Sequence, residues 1–287
     1  MSDYIARPDH GLAWVTGASS GIGRALALRL VRDGYAVVAT ARDHDKLVAL
    51  QHEAQGQTRG TASGRIIVLD GDVTDPRDME RILSAIEYDH GQLCLVVLNA
   101  GVYLPVHGED LQRDDFEKTF AVNLHGVVNC LLPAIRHMKA NGKGGQVALV
   151  SSVTGYAGLP TSAAYGATKA ALINMAESLK FDLDKIGIRI QIINPGFVET
   201  PATAQNAFAM PALISPAEAA DRIADGLTSK AFEITFPKRF TYALKLLRLL
   251  PYPAYFWLIN RATGWKKRPL QTHGPGVDKS DKGQSED

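Results

Sequence analysis

The strongest constraint on this chain is an alternation running through its first 236 residues, in which short apolar runs are separated by longer helical patterns. Strands are expected at 12–16, 36–41, 65–70, 93–99, 147–151, 189–194 and 233–236. Helices are expected at 22–33, 45–55, 76–88, 116–138, 164–185 and 216–228. Several strand candidates are apolar throughout rather than alternating, as strands covered on both faces are. Pro76 and Pro216 follow Asp75 and Ser215, a helix-opening proline after a capping side chain. Strand and helix taking turns in this way predict a doubly wound α/β domain of about seven parallel strands with helices on both faces. No linker interrupts 10–236, so this stretch reads as one domain. Segment 56–64 is polar and glycine-rich and reads as a surface connection. Segment 196–215 carries Phe197, Phe208, Met210 and Leu213 without a period and reads as a lid.

Composition narrows the setting. The chain is 46% hydrophobic and 21% charged, which excludes general disorder. A net charge of +1 argues against a generally basic nucleic-acid binder. Cys94 and Cys130 lie in apolar surroundings, so no disulfide framework is expected and a reducing, cytoplasmic compartment fits. The first ten residues contain no apolar run of the signal-peptide kind.

Two regions carry chemistry. After the first strand come Thr16-Gly17-Ala18-Ser19-Ser20-Gly21-Ile22-Gly23, leading directly into a helix. Glycines let a pyrophosphate approach the backbone, and the new helix offers unpaired N–H groups and the positive end of its dipole. Glycines at this place can also simply close a turn. The second strand ends at Ala41 with Arg42 next, where a carboxylate would select NAD and a cation the 2′-phosphate of NADP. A solvated surface arginine is the alternative; the residue types favour NADP(H) over NAD(H). Farther on, Tyr165 and Lys169 share one helix face, and Ser151-Ser152 end a strand just upstream. A nearby ammonium should draw the phenol down from its ordinary pKa of about 10 toward values useful for proton transfer.

These pieces, together with Asn99-Ala100-Gly101, Asn123 and Asn194-Pro195-Gly196, stand in the order found in short-chain dehydrogenases/reductases. The chain resembles that family over about residues 10–236. The resemblance implies a Rossmann-like NAD(P)-binding catalytic domain and an oxidoreductase acting on CH–OH or carbonyl groups. It implies that Tyr165 is the general acid, that Ser152 positions the carbonyl oxygen, and that Lys169 lowers the tyrosine pKa and binds ribose hydroxyls. Asn123 would hold a water linking Lys169 to solvent. Cofactor contacts are implied for Gly17, Ser19, Ser20, Gly21, Ile22, Gly23, Arg42, Asp72, Val73, Asn99, Ala100, Gly101, Tyr165, Lys169, Pro195, Gly196, Val198 and Thr200, and no metal is implied. Leu98 stands where the family often has a second Asn, and Thr168 where Ser is frequent. With NADPH the expected reaction is reduction of a ketone or aldehyde to the alcohol. A 3-oxoacyl thioester reductase, a steroid- or retinol-like alcohol dehydrogenase and a non-catalytic NADP(H)-sensing protein docked at a membrane are the alternatives. The family also implies a dimer or tetramer formed through the long helices.

Residues 237–268 depart from this pattern. They contain eight Lys or Arg and no Asp or Glu, so the chain's +1 divides into −5 for 1–236, +8 here and −2 for 269–287. Fifteen of the twenty residues 240–259 are apolar or aromatic, but Lys245, Arg248, Pro251 and Pro253 interrupt the run. The pattern therefore reads as two short basic, amphipathic pieces rather than a transmembrane helix. They either lie peripherally on a membrane, the favoured reading, or close a pocket or subunit contact. A lipophilic substrate is expected from this segment and the lid. The polar tail 269–287 is expected to be disordered.

Overall fold

Apolar runs become strands here because each of their faces finds a covering helix. The computed structural model describes residues 2–57, 64–204 and 210–270. Most of segment 56–64, residues 205–209 of the expected lid and residues 271–287 of the tail lie outside the described residues. The strands are β1 (Leu12–Thr16), β2 (Ala36–Thr40), β3 (Arg65–Val68), β4 (Leu93–Leu98), β5 (Gly145–Val150), β6 (Ile188–Pro195) and β7 (Glu233–Phe236). They form one parallel sheet in the order β3-β2-β1-β4-β5-β6-β7. The order reverses between β1 and β4, the switch point at which ligands bind in such sheets.

Helices α1 (Gly21–Arg32), α2 (His44–Gln57) and α7 (Pro216–Thr228) cover one face. On the other lie α3 (Pro76–Ala85), α5 (Gly126–Asn141) and α6 (Ala163–Leu183). Period-two alternation divides β1 between these layers. Ala13 and Val15 pack with Leu26, Leu30 and Ile223, while Leu12 and Trp14 pack with Met79, Leu131 and Leu172. Both expected caps form: Asp75 accepts the Arg77 N–H at 2.9 Å, and Ser215 accepts that of Glu218 at 3.1 Å.

Two expectations change. The single helix expected at 116–138 is α4 (Arg113–Phe120) and α5, joined by a wider, π-type turn over Ala121–His125 that contains Asn123. β5 begins two residues earlier than expected, because Gln146 is buried yet satisfied. Its Oε1 accepts the Ala6 N–H at 2.8 Å, and its Nε2 donates to Gln191 Oε1 at 2.6 Å and the Leu227 carbonyl at 2.9 Å.

After β7 the chain forms α8 (Lys238–Leu247) and α9 (Tyr252–Thr263) and folds back on the sheet's carboxyl edge. Phe240 of α8 lies 5.6 Å from the Phe197 ring, beyond β6. Arg248 donates to the Tyr156 carbonyl at 2.8 Å and Tyr255 to that of Gly158 at 2.5 Å, both beyond β5. Trp265 stacks on His107 and Arg268 pairs with Glu109 at 2.5 Å, beyond β4. The anchor is Glu233, which accepts from Tyr156 at 2.5 Å and Asn194 at 2.7 Å and is ion-paired with Lys245.

Burial alone would lift the Glu233 carboxyl, but hydrogen bonds from Lys245, Tyr156 and Asn194 more than offset it and hold the group below the ordinary carboxylate range. Its contribution to stability is therefore complete above that range and disappears as pH falls through the lowered value. Glu233→Gln should cost about 1.5–3 kcal/mol at neutral pH, the scale of hydrogen bonds to charged groups, read from urea midpoints. It should also flatten the acid limb of the stability profile; an unchanged midpoint and acid limb would contradict this role.

Candidate active site

The nucleotide-like half of the sheet edge is shaped by β1, β2 and β3. From Thr16 the chain turns through Gly17, Ala18, Ser19 and Ser20 into Gly21, Ile22 and Gly23 of α1. Gly17 and Gly21 have φ of 67° and 54°, in the left-handed region that a Cβ disfavours. A Cβ would also stand 2.8 Å from Ala100 Cα at Gly17, and 3.1 Å from Thr200 Cγ2 at Gly21. Ser20 makes no side-chain cap and the first turn of α1 holds no acidic residue, so the N–H groups and positive dipole end face the edge without a protein carboxylate.

Asn99 fixes this turn from β4. Its Nδ2 donates to the carbonyls of Thr16 at 3.0 Å and Gly17 at 3.3 Å. Thr16 Oγ1 in turn accepts the N–H groups of Asn99 at 3.0 Å and Ala100 at 3.1 Å. Arg42, just past β2, has a side chain 72% exposed and lies 3.9 Å from Asp72. Asp72 accepts from the Thr74 N–H and hydroxyl, each at 2.9 Å, and Val73 beside it is buried, with its carbonyl held by Asn129. On the far side Pro195 ends β6 and the Gly196 N–H donates to Phe236. Val198 is buried and bridges to Ile214, which pins both ends of the expected lid. Thr203 holds Thr200, accepting its N–H at 3.0 Å.

The reacting half is built from β5, α6 and the wide turn. Ser151 ends β5 by donating its hydroxyl to the Lys169 carbonyl at 2.7 Å, clamping α6 to the sheet. Ser152 Oγ accepts the Thr154 N–H at 3.2 Å, and the same hydroxyl favours the ionised form of Tyr165. Lys169 is 3% exposed; its Nζ donates to the Val150 carbonyl at 2.8 Å and lies 5.4 Å from the centre of the Tyr165 ring. Asn123 is fully buried and clasps Val102, accepting its N–H at 2.7 Å and donating to its carbonyl at 2.9 Å. A Cβ on Gly101 would lie 3.3 Å from Asn123 Oδ1, a tight approach, and 3.6 Å from Lys169 Nζ, an ordinary contact, so Gly101 borders the space before the ammonium.

The electrostatics differ from expectation. Burial pushes the Tyr165 phenol up to about 12, with Ser152 pulling it down and Tyr103 adding to the rise. Burial likewise pushes Lys169 down to about 8. In the protein alone, loss of hydration outweighs the expected lowering of the phenol by the ammonium. At neutral pH the phenol therefore carries its proton and the amine remains mostly charged.

Tyr165, Lys169, Ser152 and Asn123 thus converge at one end of the switch point, with the glycine turn and Arg42 at the other. The sequence reading missed Tyr103, whose ring meets Tyr165 edge-on at 5.1 Å and whose hydroxyl bonds Thr161 at 2.7 Å. It also missed Tyr156 and Glu233. An aromatic residue soon after Asn99-Ala100-Gly101 was a usable signal for Tyr103. No local pattern marks Tyr156 and Glu233, which lie 77 residues apart. A nicotinamide dinucleotide fits this edge: the glycine turn leaves room for a pyrophosphate, and the exposed Arg42 side chain stands where a 2′-phosphate would lie. No cluster of metal-ligating side chains occurs among the described residues.

Comparison with known proteins agrees. The short chain dehydrogenase family profile matches residues 12–210. An uncharacterized oxidoreductase of Myxococcus xanthus is 36% identical over 88% of this chain and 97% of its own length. A glucose 1-dehydrogenase of Gluconobacter oxydans is 34% identical over 65% of this chain and 69% of its own. Among solved structures, an alcohol dehydrogenase from Thermococcus sibiricus, complexed with 5-hydroxy-NADP, superposes with a TM-score of 0.69 and 26% identity, covering 79% of this chain and 95% of that one. A Burkholderia phymatum short-chain dehydrogenase/reductase in complex with NAD shares the fold, with a TM-score of 0.75 at 20% identity over 86% of this chain and 94% of that one. By fold, edge geometry and profile alike, the chain belongs to the short-chain dehydrogenase/reductase family, oxidoreductases acting on alcohol and carbonyl groups.

Proposed function

We propose that this protein reduces a ketone or aldehyde group on a lipophilic substrate to the alcohol, using NADPH in preference to NADH. The carrying observation is the half-buried Tyr165 phenol in the same cluster as Ser152, with the buried Lys169 amine 5.4 Å from its ring at the sheet edge. The bound cofactor supplies hydride. Tyr165 gives its proton to the carbonyl oxygen as that oxygen gains charge, and Ser152 holds the oxygen in line. An alkoxide is far more basic than a phenolate, so even a raised phenol pKa leaves this transfer downhill. Lys169 stabilises the phenolate left behind, and Asn123, through Val102, keeps the β4 loop clear of the amine.

NADPH preference is supported by Arg42 at an edge where β2 and its following residue Ala41 present no carboxylate. The lipophilic reading is supported by the aromatic surroundings: Tyr103 against Tyr165, and Phe197 against Phe240. We place the protein in the cytoplasm, at the periphery of a membrane, as a dimer or tetramer. Exposed Leu132 and Phe181 on the long helices α5 and α6 support assembly through those faces.

NADPH consumption with a panel of long-chain ketones, aldehydes and 3-oxoacyl thioesters tests the reaction. Tyr165→Phe should lower kcat by about 10²-fold or more, the scale of general acid catalysis; equal rates in the two proteins would overturn the assigned acid. Arg42→Ala should weaken NADPH binding by about 10–100-fold, the loss of a charge-assisted hydrogen bond, and leave NADH binding unchanged. A wild-type protein that binds NADH more tightly would contradict the cofactor assignment.

A further inference from the structure

The extension formed by α8 and α9 has two unlike faces. Its inner face is spent on the protein: Thr241, Tyr255 and Ile259 are buried, and Lys245, Arg248 and Arg268 are held by Glu233, Tyr156 and Glu109. Its outer face is apolar. Tyr242, Leu246 and Leu249 recur along and just past α8 at intervals of four and three residues, and Tyr252, Phe256 and Trp257 continue the stripe on α9. Their exposures run from 50% for Tyr242 to 79% for Leu249. Single exposed apolar side chains are ordinary, but six within sixteen residues, with 242/246/249 and 252/256 at intervals of three or four, mark a contact surface.

Charge decides what meets it. Lys238 and Arg239 stand at the start of α8, Arg261 on the last turn of α9, and Lys266 and Lys267 just beyond. No Asp or Glu occurs anywhere in 237–268. Two copies meeting through this face would bring like charges together, whereas an anionic headgroup layer complements them. Tyr and Trp suit that boundary because each joins an apolar ring to a polar tip. The helices are 10 and 12 residues long, and no helix among the described residues is long and apolar enough to cross a membrane. They can lie on a bilayer and cannot span it.

We infer that the outer face of α8 and α9 docks the protein on an anionic lipid surface, with Tyr242, Leu246, Leu249, Tyr252, Phe256 and Trp257 seated in the headgroup boundary. α8, α9 and the turn between them contact the loops beyond β5 and β6, and Trp265 and Arg268 just past α9 contact the loop beyond β4, so docking brings the reacting edge against the bilayer. This last consequence rests on the lipophilic-substrate reading; the docking itself does not.

Co-sedimentation of the full-length protein with vesicles tests it, without substrate or cofactor. Wild type should pellet with phosphatidylcholine vesicles containing phosphatidylglycerol, much less with phosphatidylcholine alone, and less as salt rises. The double variant Leu249→Glu/Trp257→Glu should stay in the supernatant. Lys266→Glu/Lys267→Glu should lower binding to anionic vesicles by about tenfold or more. Both variants change exposed residues, and unaltered thermal unfolding would show that they fold. Wild type remaining in solution, equal binding to neutral and anionic vesicles, or equal pelleting of the Leu249/Trp257 variant would overturn the inference. So would a wild-type dimer, without vesicle binding, that this variant splits. Inactivity toward every carbonyl would sink the proposed reaction and leave these readings intact.

Discussion

The reacting edge depends on a lysine kept where water is scarce. Lys169 is almost wholly buried, and the cost of holding an ammonium there is offset by the Val150 carbonyl that its Nζ faces. Its backbone carbonyl is tied to the Ser151 hydroxyl, so the same residue fastens α6 to the end of β5. Tyr165, one turn earlier on that helix, inherits its position from this clamp. The wide turn at Asn123 and Gly101 then border the space before the amine. Removing hydration raises the phenol and lowers the amine, which leaves a proton donor beside an amine that is still mostly charged at neutral pH.

The nucleotide half works by a different economy. Backbone geometry, rather than buried charge, shapes it: two glycines in left-handed conformation, a helix start without a carboxylate, and Asn99 binding the turn to β4. Because β1 and β4 are neighbours in the sheet, one asparagine joins the two halves across the switch point. The C-terminal extension packs against the loops beyond β4, β5 and β6.

Much of this was legible in the sequence, and the exceptions have physical causes. Short apolar runs alternating with helical patterns located all seven strands, several of them apolar throughout because strands covered on both faces need no polar alternation. Gly145 and Gln146 escaped notice because neither is apolar; a glutamine becomes a core residue only when remote groups such as Ala6, Gln191 and Leu227 satisfy it. The interruption at Asn123 was equally hidden, since a π-type turn keeps helical periodicity on both sides. Spacing put Tyr165 and Lys169 on one face, but the sign of the phenol shift depends on burial, which spacing does not report. In the extension, charge and apolarity were plain, yet which side chains face inward depends on Glu233, Tyr156 and Glu109 far away in the chain.

The central claim is that desolvation raises the Tyr165 phenol above its ordinary value, so that it stands at the reacting edge as a proton donor. NMR of protein carrying ¹³C-labelled tyrosine rings, with the Tyr165 signal assigned from its loss in Tyr165→Phe, measures this directly. At about pH 10.5, above the ordinary tyrosine value of about 10, the Tyr165 ring should still show the phenol shift, because its pKa lies near 12. A ring already converted to phenolate at that pH, or half titrated below 10, would contradict the account.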